Sequence, residues 1–192
     1  MTTKTDTFKW QAHAHVDKYD ADQTKYAQLK SGILAPTAAV FTALGIKPSD
    51  TADRADNLLT TAGLTRLVSL MVAAGGQAPT NTAARIGTGD GAGSAAVGDT
   101  DLSAAAGSTH RWFQVMDATF PTIAAAVITF KSTFGTADGN YAWNEWGIDI
   151  GTPTVSSSNA VSATLLNHKT SAALGTKASG STWAFTTTIT FS

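Results

Sequence analysis

The chain contains no cysteine, and this absence removes several kinds of chemistry at once. Thiol nucleophiles, disulfide bonds and thiolate metal sites are excluded, because each needs a cysteine sulfur. No apolar run is long enough to cross a bilayer, and the polar first residues lack the apolar core of a secretion signal. We therefore expect the fold to be held by side-chain packing, hydrogen bonds and assembly.

Charge is also scarce. Charged residues make up 14% of the 192 positions, against about 25% in a typical soluble domain. The 13 basic and 14 acidic residues nearly cancel to a net charge of -1, so the sequence predicts no nucleic-acid or membrane partner. A surface that carries little charge is poorly protected against association. We therefore expect neighbouring subunits to cover part of it.

The first 50 residues show no sustained period of 2 or 3.6, and Pro36 and Pro48 interrupt any long element. The sequence predicts an extended N-terminal arm over 1–50, with one short helix near 21–30. The candidate interface residues of this arm are its aromatic ones: Phe8, Trp10, Tyr19 and Tyr26. We expect them to sit in grooves of other subunits, because aromatic side chains dominate interface energetics. A chain that begins near Thr51 is then expected to keep its fold.

The segment 53–74 carries the strongest helical signal. Its apolar residues recur at helical spacing and share one face: Leu64, Leu67, Val68 and Met71. Asp53 and Asp56 would favour the start of this helix, because carboxylates stabilise the positive end of the helix dipole. Gly75 and Gly76 supply a stop signal after it.

The remainder of the chain has the texture of strands and turns. The predicted strands are 84–87, 111–118, 127–134, 141–150, 162–169 and the closing strand 182–191. Asp138 and Gly139 form a hairpin signal that would pair the third of these strands with the fourth. We therefore predict a mainly β fold, an antiparallel β-sandwich or barrel-like domain preceded by a helical segment and the arm. In domain terms, the helix and the β domain occupy 51–192.

His13, His15 and Asp17 form an H-x-H-x-D pattern. Alternate residues of a strand share a face, so these three side chains could ligate a divalent metal there. The segment does not read clearly as a strand, and no further residue is placed to orient the histidines. We favour the interpretation that both histidines are exposed or interfacial on the arm, and we predict no bound metal.

The glycine-rich segment 87–93 resembles a phosphate-binding loop in glycine content alone. It lacks the Lys-Ser/Thr pair that completes such a loop, and we interpret it as a mobile turn. Asp90, Asp99 and Asp101 suggest calcium, but their spacing does not match the known calcium loop. Residues 98–102 instead favour a turn in which an aspartate caps local backbone groups.

Glu145 lies between two tryptophans in the sequence W-N-E-W. A carboxylate beside indole rings could have a raised pKa and act as a general acid. Glycosidases need a second carboxylate at a defined separation, and Asp149, on the same face, has no evident role. We interpret Glu145 as a structural glutamate, and we predict no catalytic residue, no cofactor and no enzymatic activity.

Four blocks of the sequence together form a recognisable pattern. They are 57–64 (NLLTTAGL), 86–90 with 98–102 (IGTGD and GDTDL), 130–134 with 140–148 (FKSTF and NYAWNEWGI), and 165–169 with 175–183 (LLNHK and GTKASGSTW). In this order they resemble a family of small virion structural proteins of tailed bacteriophages. The resemblance covers 57–192 and leaves 1–50 unmatched.

The resemblance implies a component of the phage particle and offers no catalytic residue to carry over. The favoured function is an auxiliary capsid protein, a decoration or cement subunit that bridges major capsid subunits. Its implied partners are the major capsid protein or other virion proteins, and a homo-oligomer, with a trimer as our guess. Its implied location is the virion, assembled in the cytoplasm of the bacterial host.

Two alternative functions stay open at this point. One is a structural protein of the tail, neck or collar. The other is a carbohydrate-binding module, in which Trp143, Trp146 and Trp183 would stack on a sugar. Trp143 and Trp146 fall on opposite faces of a regular strand, so these two cannot share a flat platform. Solvent exposure of Trp143 and Trp183 distinguishes a binding platform from a core.

The closing strand generates a prediction, since its large apolar residues share one face: Trp183, Phe185, Ile189 and Phe191. Phe185→Ala and Ile189→Asp should each lower the free energy of unfolding by roughly 3 kcal/mol or more, through a cavity and a buried charge. Thr186→Ser and Thr188→Ser alter the opposite face and should cost less than about 1 kcal/mol. Urea unfolding measures all four, and equal small losses would mean that the faces are assigned wrongly.

Overall fold

The computed structural model describes residues 9–151 and 160–192, which form two antiparallel sheets of five strands each. Sheet A contains, in spatial order, β2 (Asp50–Ala55), β1 (Trp10–Tyr19), β10 (Thr182–Phe191), β7 (Val127–Phe134) and β6 (Thr122–Ala124). Sheet B contains β3 (Leu58–Leu59), β9 (Thr164–Lys169), β8 (Glu145–Ile150), β4 (Ala84–Gly89) and β5 (Arg111–Val115). The predicted mainly β fold is confirmed, and its two sheets are consistent with a sandwich.

Within the described ranges, three helices accompany the sheets: α1 (Ala21–Ser31), α2 (Ala38–Ala43) and α3 (Thr61–Met71). α1 agrees with the predicted short helix and begins at a capping box, in which the Asp20 carboxylate accepts from the Gln23 amide at 2.8 Å. The ring of Tyr19 in β1 stacks on that of Phe41 in α2, with centroids 3.8 Å apart. Among the helices of the described residues, none is long and apolar enough to span a membrane.

The core between the sheets is built around tryptophan. Trp143 is fully buried, and its ring centroid lies 4.6 Å from that of Phe134 and 4.8 Å from that of Trp183. Its indole N–H donates to the carbonyl of Gly139 at 2.8 Å, so its one polar atom is satisfied. The ring centroid of Phe185 in β10 lies 5.3 Å from that of Trp146 in β8, so this pair joins sheet A to sheet B.

The described part of the first 50 residues, 9–50, does not form the predicted arm. All ten residues of β1 pair with β10, from Trp10↔Phe191 to Tyr19↔Thr182, and β2 pairs along its other side. The inward side chains of β1 are small, namely Ala12, Ala14 and Val16. Small apolar residues weaken the alternation by which a buried strand is recognised, and this explains why the sequence did not reveal β1.

The predicted interface residues therefore have different surroundings. Trp10 packs on Phe191 with ring centroids 6.3 Å apart, and Tyr19 is 4% exposed. Both side chains contact their own chain, which corrects their assignment as anchors on a free arm. Tyr26 is 51% exposed and remains a predicted interface residue. Phe8 lies outside the described residues.

The predicted hairpin between β7 and β8 is wrong. The chain does turn just before Asp138 and Gly139, at Thr136 and Ala137, but β7 pairs with β10 and β6, and β8 belongs to sheet B. The segment after the turn bonds to a later part of the chain instead. The Trp143 amide donates to the Gly175 carbonyl at 2.8 Å, and the Leu174 amide donates to the Trp143 carbonyl at 2.9 Å. These bonds hold the segment 135–144, which connects β7 of sheet A to β8 of sheet B.

The helix predicted over 53–74 begins later, because β2 and β3 occupy its first residues. The hydroxyl of Thr60 caps α3 by accepting from the Gly63 amide at 2.9 Å. Gly63 lies so close to the Leu166 carbonyl that a Cβ there would collide with it, and α3 therefore faces β9 through this glycine. Leu67 reaches the core in part. The other residues of the predicted apolar face are exposed: Leu64, Val68 and Met71.

Since β1 is an inner strand, we predict that Val16→Asp lowers the free energy of unfolding by about 3 kcal/mol or more. Val16 is fully buried, so the new carboxylate would have no water and no partner. Gln11→Asp adds the same charge on the exposed side of the same strand and should cost less than about 1 kcal/mol. Urea unfolding of both variants checks this. A small, equal loss for the two would restore the interpretation of 1–50 as an arm.

Candidate functional site

The outer face of sheet B carries charged side chains that are shielded from water. Glu145 and Asp149 point away from the core on β8, while Trp146, Ile148 and Ile150 point into it. Glu145 and Asp149 are both 0% exposed, and the neighbouring His168 of β9 is 1% exposed. Buried carboxylates are costly unless hydrogen bonds and opposite charges compensate them. The contacts of this face therefore decide what it can do.

Glu145 has three hydrogen-bond donors around it. The backbone amides of Ser103 and Ala104 donate to its two oxygens at 2.9 and 2.6 Å, and Nε2 of His168 lies 2.8 Å from Oε2. On the other side of the imidazole, Nδ1 of His168 lies 2.6 Å from the Asp99 carboxylate. An imidazole that faces a carboxylate at each nitrogen is best satisfied when both nitrogens carry a proton. His168 is therefore a buried imidazolium between two carboxylates.

The pKa values of this cluster follow from its geometry. Burial alone would lower the pKa of His168, but the hydrogen bonds to Glu145 and Asp99 outweigh burial and raise it above 6.5. Burial alone would raise the pKa of Glu145, but the bonds from His168, Ser103 and Ala104 lower it. The pKa of Asp99 is likewise lowered, against its burial, by the Ala96 amide and by His168. The hydrogen bonds therefore favour the charged form of all three groups.

A second charged group lies on the same face. The guanidinium of Arg85 donates to Asp149 from Nε at 3.0 Å and from a terminal nitrogen at 2.6 Å. Asp149 also accepts from the amide and the hydroxyl of Ser162 at 3.0 and 3.1 Å. Asp101 accepts from the Val161 amide at 3.1 Å. These carboxylates fix the segment after residue 160 against sheet B.

The loop 90–110 between β4 and β5, here called the covering segment, lies on the outer face of sheet B. Glycines allow it to approach Glu145 closely. A Cβ placed on Gly89 or on Gly91 would lie 2.5 Å from Oε1 of Glu145. The same atom on Gly89 would lie 2.9 Å from the Ala104 side chain. The interpretation of 87–93 as a mobile turn is wrong for 87–89, which are buried in β4. The glycines of this segment leave space for the buried Glu145 carboxylate. Glycine content alone does not predict this role.

The H-x-H-x-D residues lie on β1, where alternate side chains do share a face. His15 places Nδ1 at 2.8 Å from Asp53 of β2 and Nε2 at 3.1 Å from Asp17. These two bonds raise the pKa of His15 against the lowering effect of its partial burial. With both nitrogens occupied, the imidazole has no lone pair left for a metal. Within the described residues, no group of three or more possible ligands is arranged to hold a metal ion.

The carboxylates of the calcium pattern do not converge on one point. Each goes to a different basic partner: Asp90 to His110 at 2.8 Å, Asp99 to His168 at 2.6 Å and Asp101 to Arg111 at 3.1 Å. Asp99 also accepts from the Ala96 amide at 2.8 Å, as predicted for a capping aspartate. These three residues position the segment that covers sheet B.

The tryptophans of the carbohydrate-binding alternative are core residues. Trp143, Trp146 and Trp183 are 0%, 1% and 5% exposed. Trp143 precedes the first residue of β8, so the rule of opposite faces does not apply to it and both Trp143 and Trp146 point inward. A sugar cannot stack on a ring that solvent does not reach, and this corrects the proposed platform.

The sequence analysis missed several buried charged residues. Lys177 is 1% exposed, and its ammonium donates to the Gly135 carbonyl at 2.7 Å and to the Asn140 side chain at 2.9 Å. Burial lowers the pKa of Lys177 to about 8. Arg85 and His168 were also missed, because their partners are distant in sequence. Both Lys177 and His168 lie in the fourth block of the recognised pattern, and this was the sequence feature that could have indicated them.

Comparison of the chain with protein-family models, with curated proteins and with solved structures found no match. The fold and the cluster define a class, an antiparallel β protein with two five-stranded sheets and a buried ionic network on one outer face. All four recognised blocks contribute to that face or to its edge: Gly63 from the first, Gly89 and Asp99 from the second, Glu145 from the third and His168 from the fourth. Part of each block therefore lies on or beside sheet B.

We predict that Glu145→Gln lowers the free energy of unfolding by roughly 2 kcal/mol or more at about pH 6. The amide is similar in shape but cannot compensate the charge of His168. As a matched control, Asp90→Asn neutralises a partly exposed carboxylate that faces His110 and should cost less than about 1 kcal/mol. Urea unfolding measures both losses. An equal loss for the two variants would contradict a special role for the buried carboxylate.

The same variant should show a pH-dependent loss. Because the pKa of Glu145 is lowered in the fold, its contribution is present above about 4.5 and fades as the pH falls through the folded value. Because the pKa of His168 is raised, its contribution is present below about 6.5 and fades as the pH rises through the folded value. The difference between the native chain and Glu145→Gln should therefore be largest between these two values. A difference that is constant from pH 4 to 9 would contradict the ion pair.

Proposed function

We propose that this chain is a non-enzymatic structural component of a tailed phage particle, an auxiliary capsid protein that bridges major capsid subunits. The observation that carries the proposal is that part of each of the four virion-like blocks lies on or beside sheet B. Leu58 of the first block pairs with His168 of the fourth, which faces Glu145 of the third. Gly89 of the second block lies against the same Glu145 carboxylate. The likeness to phage structural proteins is thus a likeness in one connected spatial pattern, which supports a shared structural role.

The acidic residues that could have indicated catalysis support the same proposal. Glu145 accepts two backbone amides and faces His168, and Asp149 is bound by Arg85 and Ser162. Neither carboxylate is exposed. A general acid or a nucleophile has to reach a substrate, whereas these groups hold loop segments against sheet B.

The surface favours assembly with other subunits. Most of the exposed large apolar side chains of the described residues lie in two regions. One is the outer face of α3, and the other consists of α1 and the residues after it, with Tyr26, Leu29, Ile33 and Leu34. Monomeric proteins rarely expose large contiguous apolar patches, and such patches mark sites of protein contact. These two regions take over the role that the sequence analysis gave to the arm.

The proposed mechanism is bridging by a rigid body. The two sheets share one tryptophan-rich core, and the buried ion pairs hold the covering segments in place, so the subunit transmits force without unfolding. Each contact with the shell buries a modest apolar area, worth about 25 cal/mol per Å². Many copies on one particle, each with more than one contact, then reinforce the shell by multivalency.

A structural protein of the tail, neck or collar is the second candidate, since the same features suit any repeated position in a particle. The carbohydrate-binding alternative has lost the observation that suggested it, because Trp143 and Trp183 are buried. An experiment on particles separates the two remaining locations.

The proposal is tested by quantitative mass spectrometry of purified virions of the phage that encodes the chain, separated into heads and tails. We expect the chain on heads, at a fixed ratio to the major capsid protein, and we expect heads without it to break at lower temperature. Copies confined to tails would select the second candidate. Absence from the particle would overturn the structural proposal altogether.

A further inference from the structure

The outer face of α3 is apolar and uncovered. Leu64, Val68, Met71 and Val72 are 47%, 50%, 84% and 69% exposed. Their spacing along the chain places them on one side of the helix. The opposite side carries Gly63, which touches β9, so α3 cannot turn this stripe toward its own core. The exposure is therefore fixed by the fold.

This face also lacks free charge. In the segment 61–76 the single charged residue is Arg66. Its guanidinium donates to the Gln77 carbonyl at 2.9 Å and to the Thr164 hydroxyl at 2.8 Å, so it is directed at its own chain. The exposed neighbours of the apolar stripe are small and uncharged, among them Thr65, Ala73 and Ala74. A charged partner would lose its hydration here without compensation.

The size of the face suits a protein contact of ordinary extent. From their exposed fractions, the four apolar side chains present roughly 400 Å² to solvent, comparable to the largest apolar patch of a typical monomer. A stable interface buries about 800 Å² on each partner, and slightly more than half of that area, about 450 Å², is apolar. The stripe and its small uncharged neighbours together supply such a patch.

We propose that a second copy of this chain docks on this face, with α3 packed against α3 of its partner. Two identical uncharged faces meet across a twofold axis without like-charge repulsion, and each stripe covers the other. The apolar region of α1 and the residues after it is less suited to self-contact, because Lys25 and Lys30 belong to it and Lys30 lies over the Tyr26 ring. The inference concerns self-association and does not depend on a location in a phage particle.

The first test is sedimentation equilibrium of the full chain and of single variants. We expect self-association that Val68→Asp and Met71→Asp each weaken by about tenfold or more, as truncation of an interface centre does. Both positions are exposed, so the variants should melt like the native chain. Leu29→Asp and Leu34→Asp place the same charge on the other apolar region, where Leu29 and Leu34 are 76% and 86% exposed, and should associate normally.

The second test uses the absence of cysteine from the chain. Met71→Cys introduces a single thiol on α3, and a short bismaleimide should link two copies efficiently, whereas Leu29→Cys should remain unlinked. A native chain that stays monomeric at all concentrations would overturn the inference, and so would association that the α3 variants leave unchanged. Either result leaves the particle proposal standing, because its own test is the presence of the chain on heads.

Discussion

A carboxylate without access to water has to find its compensation within the protein, and for Glu145 that requirement organises one side of the molecule. Its donors come from a loop, through Ser103 and Ala104, and from β9, through His168. The Asp99 carboxylate accepts from the other nitrogen of the His168 ring, Nδ1. Removal of any one of these groups leaves a buried charge or a buried amide unsatisfied. The network therefore tolerates little displacement of any of these groups, and it fixes the covering segment on sheet B.

The proposed function follows from how the charged residues and the apolar residues are distributed. The buried carboxylates Glu145 and Asp149 are bonded to loop amides and to basic side chains, while several apolar side chains of α3 lie on the surface. A protein arranged in this way has an interior held by buried hydrogen bonds and outer faces that favour contact with other proteins. Those are the properties that a subunit needs when it reinforces an assembly, and they connect the recognised sequence blocks to the proposed role in a particle.

The sequence predicts the fold class and the long regular strands, because β7 and β10 alternate large apolar and polar residues. It does not reveal β1, whose inward residues Ala12 and Ala14 are too small to mark a buried face. Glu145 accepts hydrogen bonds from backbone amides, as predicted, but its partner His168 is 23 residues away along the chain. Contacts of that kind depend on which strands become neighbours, and local periodicity carries no information about strand order.

The most direct test of the central claim is hydrogen exchange at the amides of Ser103 and Ala104. Both belong to a loop without regular secondary structure, where amides ordinarily exchange fast. If they are bound to the buried carboxylate, their exchange in the native chain should be nearly as slow as that of the β8 amides, and it should accelerate strongly in Glu145→Gln. Fast exchange of both amides in the native chain would contradict the account, because the Glu145 network would then not hold the loop.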